Sequence, residues 1–123
     1  MVLGRIGERI VADYLFARGY SVLACNLRVK SSEIDLVAKC GGVVSLVEVR
    51  VRTRRSFERA LASIDARKRE RLIVSASRFW RSGLYRERSD RLRIDVAAVS
   101  LEGAAPTVEY VTGAVTDLQF SAD

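Results

Sequence analysis

The 123-residue sequence contains no histidine, and that absence removes more chemistry than any other. With two cysteines, Cys25 and Cys40, and no imidazole, the chain cannot build a usual zinc site or a Cys-His nucleophile pair. Both cysteines fall on or beside expected strands and are read as reduced packing residues. Long apolar runs are also missing, and residues 1–12 already hold Arg5, Glu8 and Arg9. This excludes a secretory hydrophobic segment and a membrane span, so a soluble, cytoplasmic protein with no membrane partner is expected. A single proline, 49% apolar and 29% charged residues, and no internal repeat exclude disordered and fibrous classes. One domain over residues 1–123 is expected, large enough to bury about two-thirds of its unfolded surface.

What the sequence does have is positive charge. Its net charge is +6 with a pI near 9.9, and among 21 basic residues only Lys30, Lys39 and Lys68 are lysines. Arginine richness alone would be met by solvated helix faces. The clustering points further: Arg50, Arg52, Arg54 and Arg55 follow one strand, and Arg67, Lys68, Arg69 and Arg71 crowd one helical stretch. Such placement suits a polyanion, and nucleic acid is the expected partner.

Residues 33–50 carry the densest signal. Two segments alternate with period two around Gly41-Gly42, a pair suited to a tight two-residue hairpin loop. If Cys40 pairs with Val43, Asp35 lies opposite Glu48 and Glu33 opposite Arg50, all on one face. Opposed carboxylates about 5 Å apart repel by about 3 kcal/mol at an effective dielectric of 20. A divalent cation, a shared proton or the Arg50 guanidinium would each offset that cost.

Elsewhere the spacing of Ile6, Ile10, Val11, Tyr14 and Leu15 predicts a helix over 5–18, with Gly19 as its stop and Glu8 bordering the apolar stripe. A strand is expected over 20–29, broken by Ser31-Ser32, with Asn26 holding the turn before the hairpin. Thr53 to Ser56 should form a polar exit loop. A second helix starts near Ser63 or Asp65 and runs to Gly83, with Phe79 and Trp80 in the core. Residues 84–91 form a charged loop, Leu92 to Leu101 and Val108 to Thr112 are strands, and Gly113 to Phe120 is a short helix or irregular cap. The order α, β, β, β, α, β, β predicts an α/β protein with a mixed sheet flanked by helices.

The set Gly7-Glu8, Gly19-Tyr20, Asn26-Leu27-Arg28, Glu33-Ile34-Asp35-Leu36-Val37, Val47-Glu48-Val49-Arg50, Arg52, Lys68 to Leu72 and Arg93-Ile94-Asp95-Val96 resembles the YraN-like family of small bacterial proteins. That family belongs to the restriction-endonuclease-like, PD-(D/E)xK superfamily, with Holliday junction resolvases as relatives. The resemblance implies a restriction-endonuclease-like fold and metal-dependent phosphodiester hydrolysis on DNA, branched DNA included, with one or two Mg²⁺ or Mn²⁺ ions. It implies Asp35, Glu48, Glu8 and the Val49 carbonyl as metal ligands; resolvase-like relatives often act as dimers, which makes a homodimer one of the open oligomeric states. Asp35, Glu48, Glu8 and Arg50 are thus the candidate catalytic residues, and Arg50, Arg52, Arg54, Arg55, Arg67, Lys68 and Arg71 the candidate nucleic-acid contacts.

One departure weakens the enzymatic expectation. Arg50 stands at the family lysine, and a guanidinium stays protonated, so it cannot serve as a base. It would clamp a phosphate or bridge Asp35 and Glu48, while Lys68 or Lys39 would replace the lysine in space. The alternative is a catalytically silent nucleic-acid-binding or protein-interaction module that keeps the fold. Ser32 replaces the glycine usual before Glu-Ile-Asp, and Arg93 with Asp95 is expected to be structural.

Overall fold

The computed structural model describes residues 3–52 and 64–115. In chain order the elements are α1 (Leu3–Ala17), β1 (Ser21–Val29), β2 (Ser32–Cys40), β3 (Val43–Arg52), α2 (Ala66–Ser82), β4 (Arg91–Ser100) and β5 (Thr107–Val115). The strands form one sheet in the order β1-β2-β3-β4-β5, antiparallel throughout except for the parallel step from β3 to β4. A parallel step needs a crossover, and the segment containing α2 makes it. This mixed sheet flanked by helices has the element order expected of a restriction-endonuclease-like α/β fold. Among the described residues no helix is long and apolar enough to cross a membrane.

Local chemistry sets the helix ends. At the end of α1, Gly19 takes φ 90°, its N–H donates to the Phe16 carbonyl, and the Tyr20 N–H donates to the Leu15 carbonyl. This pair of bonds is a Schellman stop. The Asp65 carboxylate caps α2 by accepting from the Lys68 N–H at 2.9 Å, and Gly83 at φ 73° closes its other end. Asp65 is therefore the start; Ser63 lies outside the described residues, as do Thr53 to Ser56.

The two helices bury their apolar stripes against opposite sets of strand residues. Val11 and Leu15 of α1 pack with Leu36, Val47, Ala97 and Val99, whereas Leu72, Ala76 and Phe79 of α2 pack with Val37, Val44 and Ile94. Each Val, Leu, Ile or Phe among them contributes about 1.5–3 kcal/mol on burial. Phe79 is fully buried and Trp80 nearly so, as expected. Ile6 is instead 45% exposed, because at that end of α1 the contact line runs through its neighbour Gly7. Cys25 and Cys40 are free and exposed rather than packed, since β1 is an edge strand and Cys40 borders the hairpin loop.

Alternation along β2 breaks at one place. Ile34 and Val37, three positions apart, both face the α2 core, while Leu36 and Ala38 face α1. The opposing β1 turns at the same level: Cys25 pairs with Leu36 and Leu27 with Ile34, and Asn26 between them has φ 52°. Asn26 thus lies inside a strand in a left-handed conformation that asparagine tolerates, rather than in the turn expected for it. Ser32 adopts no left-handed φ; Lys30 does, at 56°, so serine serves where glycine is usual.

β5 runs longer than the sequence predicts. Gly113 at φ 60° sits at a register shift opposite Ile94 and Val96, so Gly113 to Val115 continue the strand and are not a helix or cap; residues 116–120 lie outside the described set. That shift aims the Gly113 N–H at Asp95, whose fully buried carboxylate also accepts from Tyr110 Oη at 2.6 Å and from Arg93 through Nε at 2.8 Å and Nη2 at 3.0 Å. Arg93 donates in turn to Tyr20 Oη at 2.8 Å. The pair is structural, with Arg93 as the counter-ion on the same strand.

Because removing one charge strands the other in a buried setting, Asp95→Asn should lower unfolding free energy by about 3–5 kcal/mol. Urea denaturation of parent and variant measures it, and a loss under about 1 kcal/mol would contradict this account of the network.

Candidate functional site

Gly7 brings α1 onto the sheet. A Cβ there would lie 2.6 Å from Val51 Cγ2 and 3.3 Å from Val49 Cγ1, so only glycine allows this approach without displacing β3. The next residue, Glu8, then reaches β1, where its Oε1 accepts from Asn26 Nδ2 at 2.8 Å. The kinked strand and the close-packed helix so hold one acid at the level of Asp35.

The hairpin has the predicted register, from Cys40↔Val43 to Leu36↔Val47. Pairing stops there, however, one step before Asp35 and Glu48. Beyond that point the Asp35 carboxylate accepts the Val49 N–H at 2.8 Å, a side chain taking the place of a strand. Asp35 and Glu48 therefore meet at a parting of β2 from β3 and are not a laddered cross-strand pair. Glu33 does not oppose Arg50; it pairs in register with Arg28 and accepts from it at 3.2 Å. Of the two hairpin glycines only Gly41 takes a positive φ, 60°.

Glu48 is held by two guanidiniums. Arg50 Nη1 lies 3.3 Å and Arg71 Nη2 3.0 Å from the same oxygen, Oε2. The Glu48 side chain is 12% exposed, whereas that of Arg71 is 51% exposed, so the grip closes from the solvent side. Behind it lies a pocket of about 20 Å³ lined by Glu33, Asp35, Glu48, Leu72 and Ser75, among others. That is room for about one water-sized group. Burial pushes the Asp35 carboxyl up to about 6; the Val49 N–H opposes the shift, and the charges of Glu48, Glu8 and Glu33 reinforce it.

The structure thus brings Glu8, Asp35, Glu48, Arg50 and Arg71 together. Arg52 is engaged elsewhere, bonded to Glu109 of β5 at 3.0 Å. Lys39 is tied to Asp90 at 2.8 Å at the hairpin end of the sheet and does not replace the family lysine. Lys68 has its own partners, and its backbone N–H is the donor that the Asp65 cap accepts; Arg67 lies on the same helix. Arg54 and Arg55 fall outside the described residues. Sequence reasoning missed the link from Asn26 to Glu8 and the direct contact of Arg71 with Glu48. An asparagine within a strand pattern was the available signal for the first; the second depends on how the crossover helix docks.

The divalent ion that the resemblance implies would need these side chains as its ligands. Among the described residues no three Asp, Glu, Cys or His side chains converge as a ligand set. Asp35 and Glu8 each spend an oxygen on a protein donor, and Glu48 faces two guanidiniums. As they stand the residues do not fit a metal, and Arg50 and Arg71 supply the positive charge at Glu48.

A family model described as Uncharacterised protein family UPF0102 matches residues 7–99. A UPF0102 protein of Sorangium cellulosum is 43% identical over 114 residues, covering 91% of this chain and 79% of its own length. One from Methylococcus capsulatus is 36% identical over 112 residues, covering 91% and 89%. Among solved structures, Pyrococcus furiosus SfsA in complex with Ca²⁺ aligns with a TM-score of 0.42 and 14% identity, over 90% of this chain and 62% of that one.

Since the fold raises the Asp35 pKa above the ordinary 3.8 to about 6, the stability linked to its proton is full below about pH 4 and is lost as pH rises through 6. Asp35→Asn keeps an oxygen for the Val49 N–H without the charge. It should gain on the order of 2 kcal/mol over the parent at pH 7.5 and nothing at pH 4. Urea titrations at both pH values check this, and parallel pH dependence in the two proteins would contradict it.

Proposed function

The chain belongs to the UPF0102 family, the YraN family, and within it we propose a nucleic-acid-binding protein of nuclease fold that engages the phosphodiester backbone of DNA beside Asp35 and Glu48. The observation that carries this reading is the convergence of Arg50 and Arg71 on one carboxylate oxygen at the mouth of the acidic pocket. A guanidinium fork binds phosphate and carboxylate with the same geometry, so a half-exposed Arg71 can exchange Glu48 for a phosphate oxygen. The net charge of +6 favours the encounter. A carboxyl with a pKa near 6 adds to it below that pH: protonated, Asp35 offers a donor where a second anion would repel the phosphate. The cytoplasm is the compartment this reading requires.

Phosphodiester hydrolysis with Mg²⁺ or Mn²⁺ is the second reading. It is favoured by one observation, that Glu8, Glu33 and Glu48 all act on Asp35. It also requires Glu48 to be released from its two arginines.

Fluorescence anisotropy with labelled DNA tests the first reading. The affinity should fall steeply with salt, and Arg71→Ala should reduce the slope of log K against log[salt] by about 1. Absence of binding at low salt overturns it. Calorimetric titration with Mn²⁺ tests the second: uptake that is lost in Asp35→Asn supports it, and no uptake by either the parent or Arg50→Lys sinks it.

A further inference from the structure

A groove of about 590 Å³ runs between α2 and the turn joining β1 to β2. Arg67, Arg71 and Arg78 line one wall, and Ser31 and Ser32 line the other. At 100° per residue, Arg71 and Arg78 fall within about 40° and 20° of Arg67 around the helix, so the three guanidiniums form one row. That row spans about 16 Å of helix axis, the rise of roughly five nucleotides of one strand. Glu33 and Ser75 line both this groove and the acidic pocket, so the two are continuous, and Arg71 bridges them through Glu48.

Arg78 is the telling member. Its Nη1 donates to Ser31 Oγ and Ser32 Oγ, each at 2.8 Å. Two neutral hydroxyls thus fix the side chain, and no carboxylate among the described residues pairs with it. The Nε and Nη2 edge remains, the edge that matches two phosphate oxygens. The groove also holds two acids: Glu33, already bonded to Arg28, and Glu70 on the same helix. Three arginines against these two acids leave the groove one net positive charge, and Arg78, at one end of the row, is the member held by hydroxyls alone.

We infer that this groove is the track for one sugar-phosphate strand leading into the acidic pocket, with the Ser31, Ser32 and Arg78 cluster as its far phosphate clamp. The inference rests on the nucleic-acid reading above and specifies the path. The same anisotropy assay with labelled DNA distinguishes the two. Arg67→Ala and Arg78→Ala should each weaken binding about tenfold and lower the salt slope by about 1, while Arg9→Ala on the outer side of α1 should leave both unchanged. Ser31→Asp guards against a folding artefact: it gives Arg78 a carboxylate partner, so binding should weaken with no loss in thermal midpoint. If Arg67→Ala and Arg78→Ala bind like the parent while Arg71→Ala does not, the track is overturned and the binding function stands. If the parent fails to bind DNA, both fall.

Discussion

The bond from the Val49 N–H to Asp35 is the constraint on which the site depends. A backbone donor deprived of its strand partner costs free energy unless another acceptor reaches it. At the level where β2 leaves β3, the acceptor that reaches that donor is a carboxylate, so an acid is fixed in a half-buried place it would otherwise avoid. The raised pKa of Asp35 follows from that compromise: structure retains the group, and burial taxes its charge. Glu48, one position past the last ladder pair, then shares the small pocket with it.

Electrostatics around this pair are arranged in two tiers. Buried charge is satisfied internally, as where Asp95 collects bonds from Arg93, Tyr110 and Gly113. At the surface side the matching is looser: Arg71 is half exposed and Arg78 rests on hydroxyls. The first arrangement stiffens the sheet; the second leaves cations available to an incoming anion. Arg50 belongs to the second tier, since a guanidinium that grips Glu48 is suited to holding phosphate and unsuited to moving protons.

The sheet was legible because the alternation around Gly41-Gly42 is regular and the register follows from the loop. The helices were legible from apolar spacing with Gly19, Asp65 and Gly83 as punctuation. Period-two reasoning failed where the backbone leaves that period. Asn26 at positive φ flips the faces of β1 and β2, and neither the ladder's end nor the separation of Glu33 from Arg50 can be seen in a pattern that assumes flat strands. Long-range pairings such as Arg52 with Glu109, or Arg71 with Glu48, depend on how β5 and α2 dock, which local spacing does not encode. Gly7 stands beside Glu8 in the sequence set, but its role lies in the close approach of Val49 and Val51, which no local pattern encodes.

The turn of the backbone at Asn26 has a further effect. β1 is an outer strand, and a long, even row of unsatisfied amides and carbonyls on such a strand templates the addition of another chain. With its direction altered midway, the margin offers two short, differently aimed segments in place of one long template, which discourages fibrous self-association. The residue that steadies Glu8 thereby also interrupts that edge.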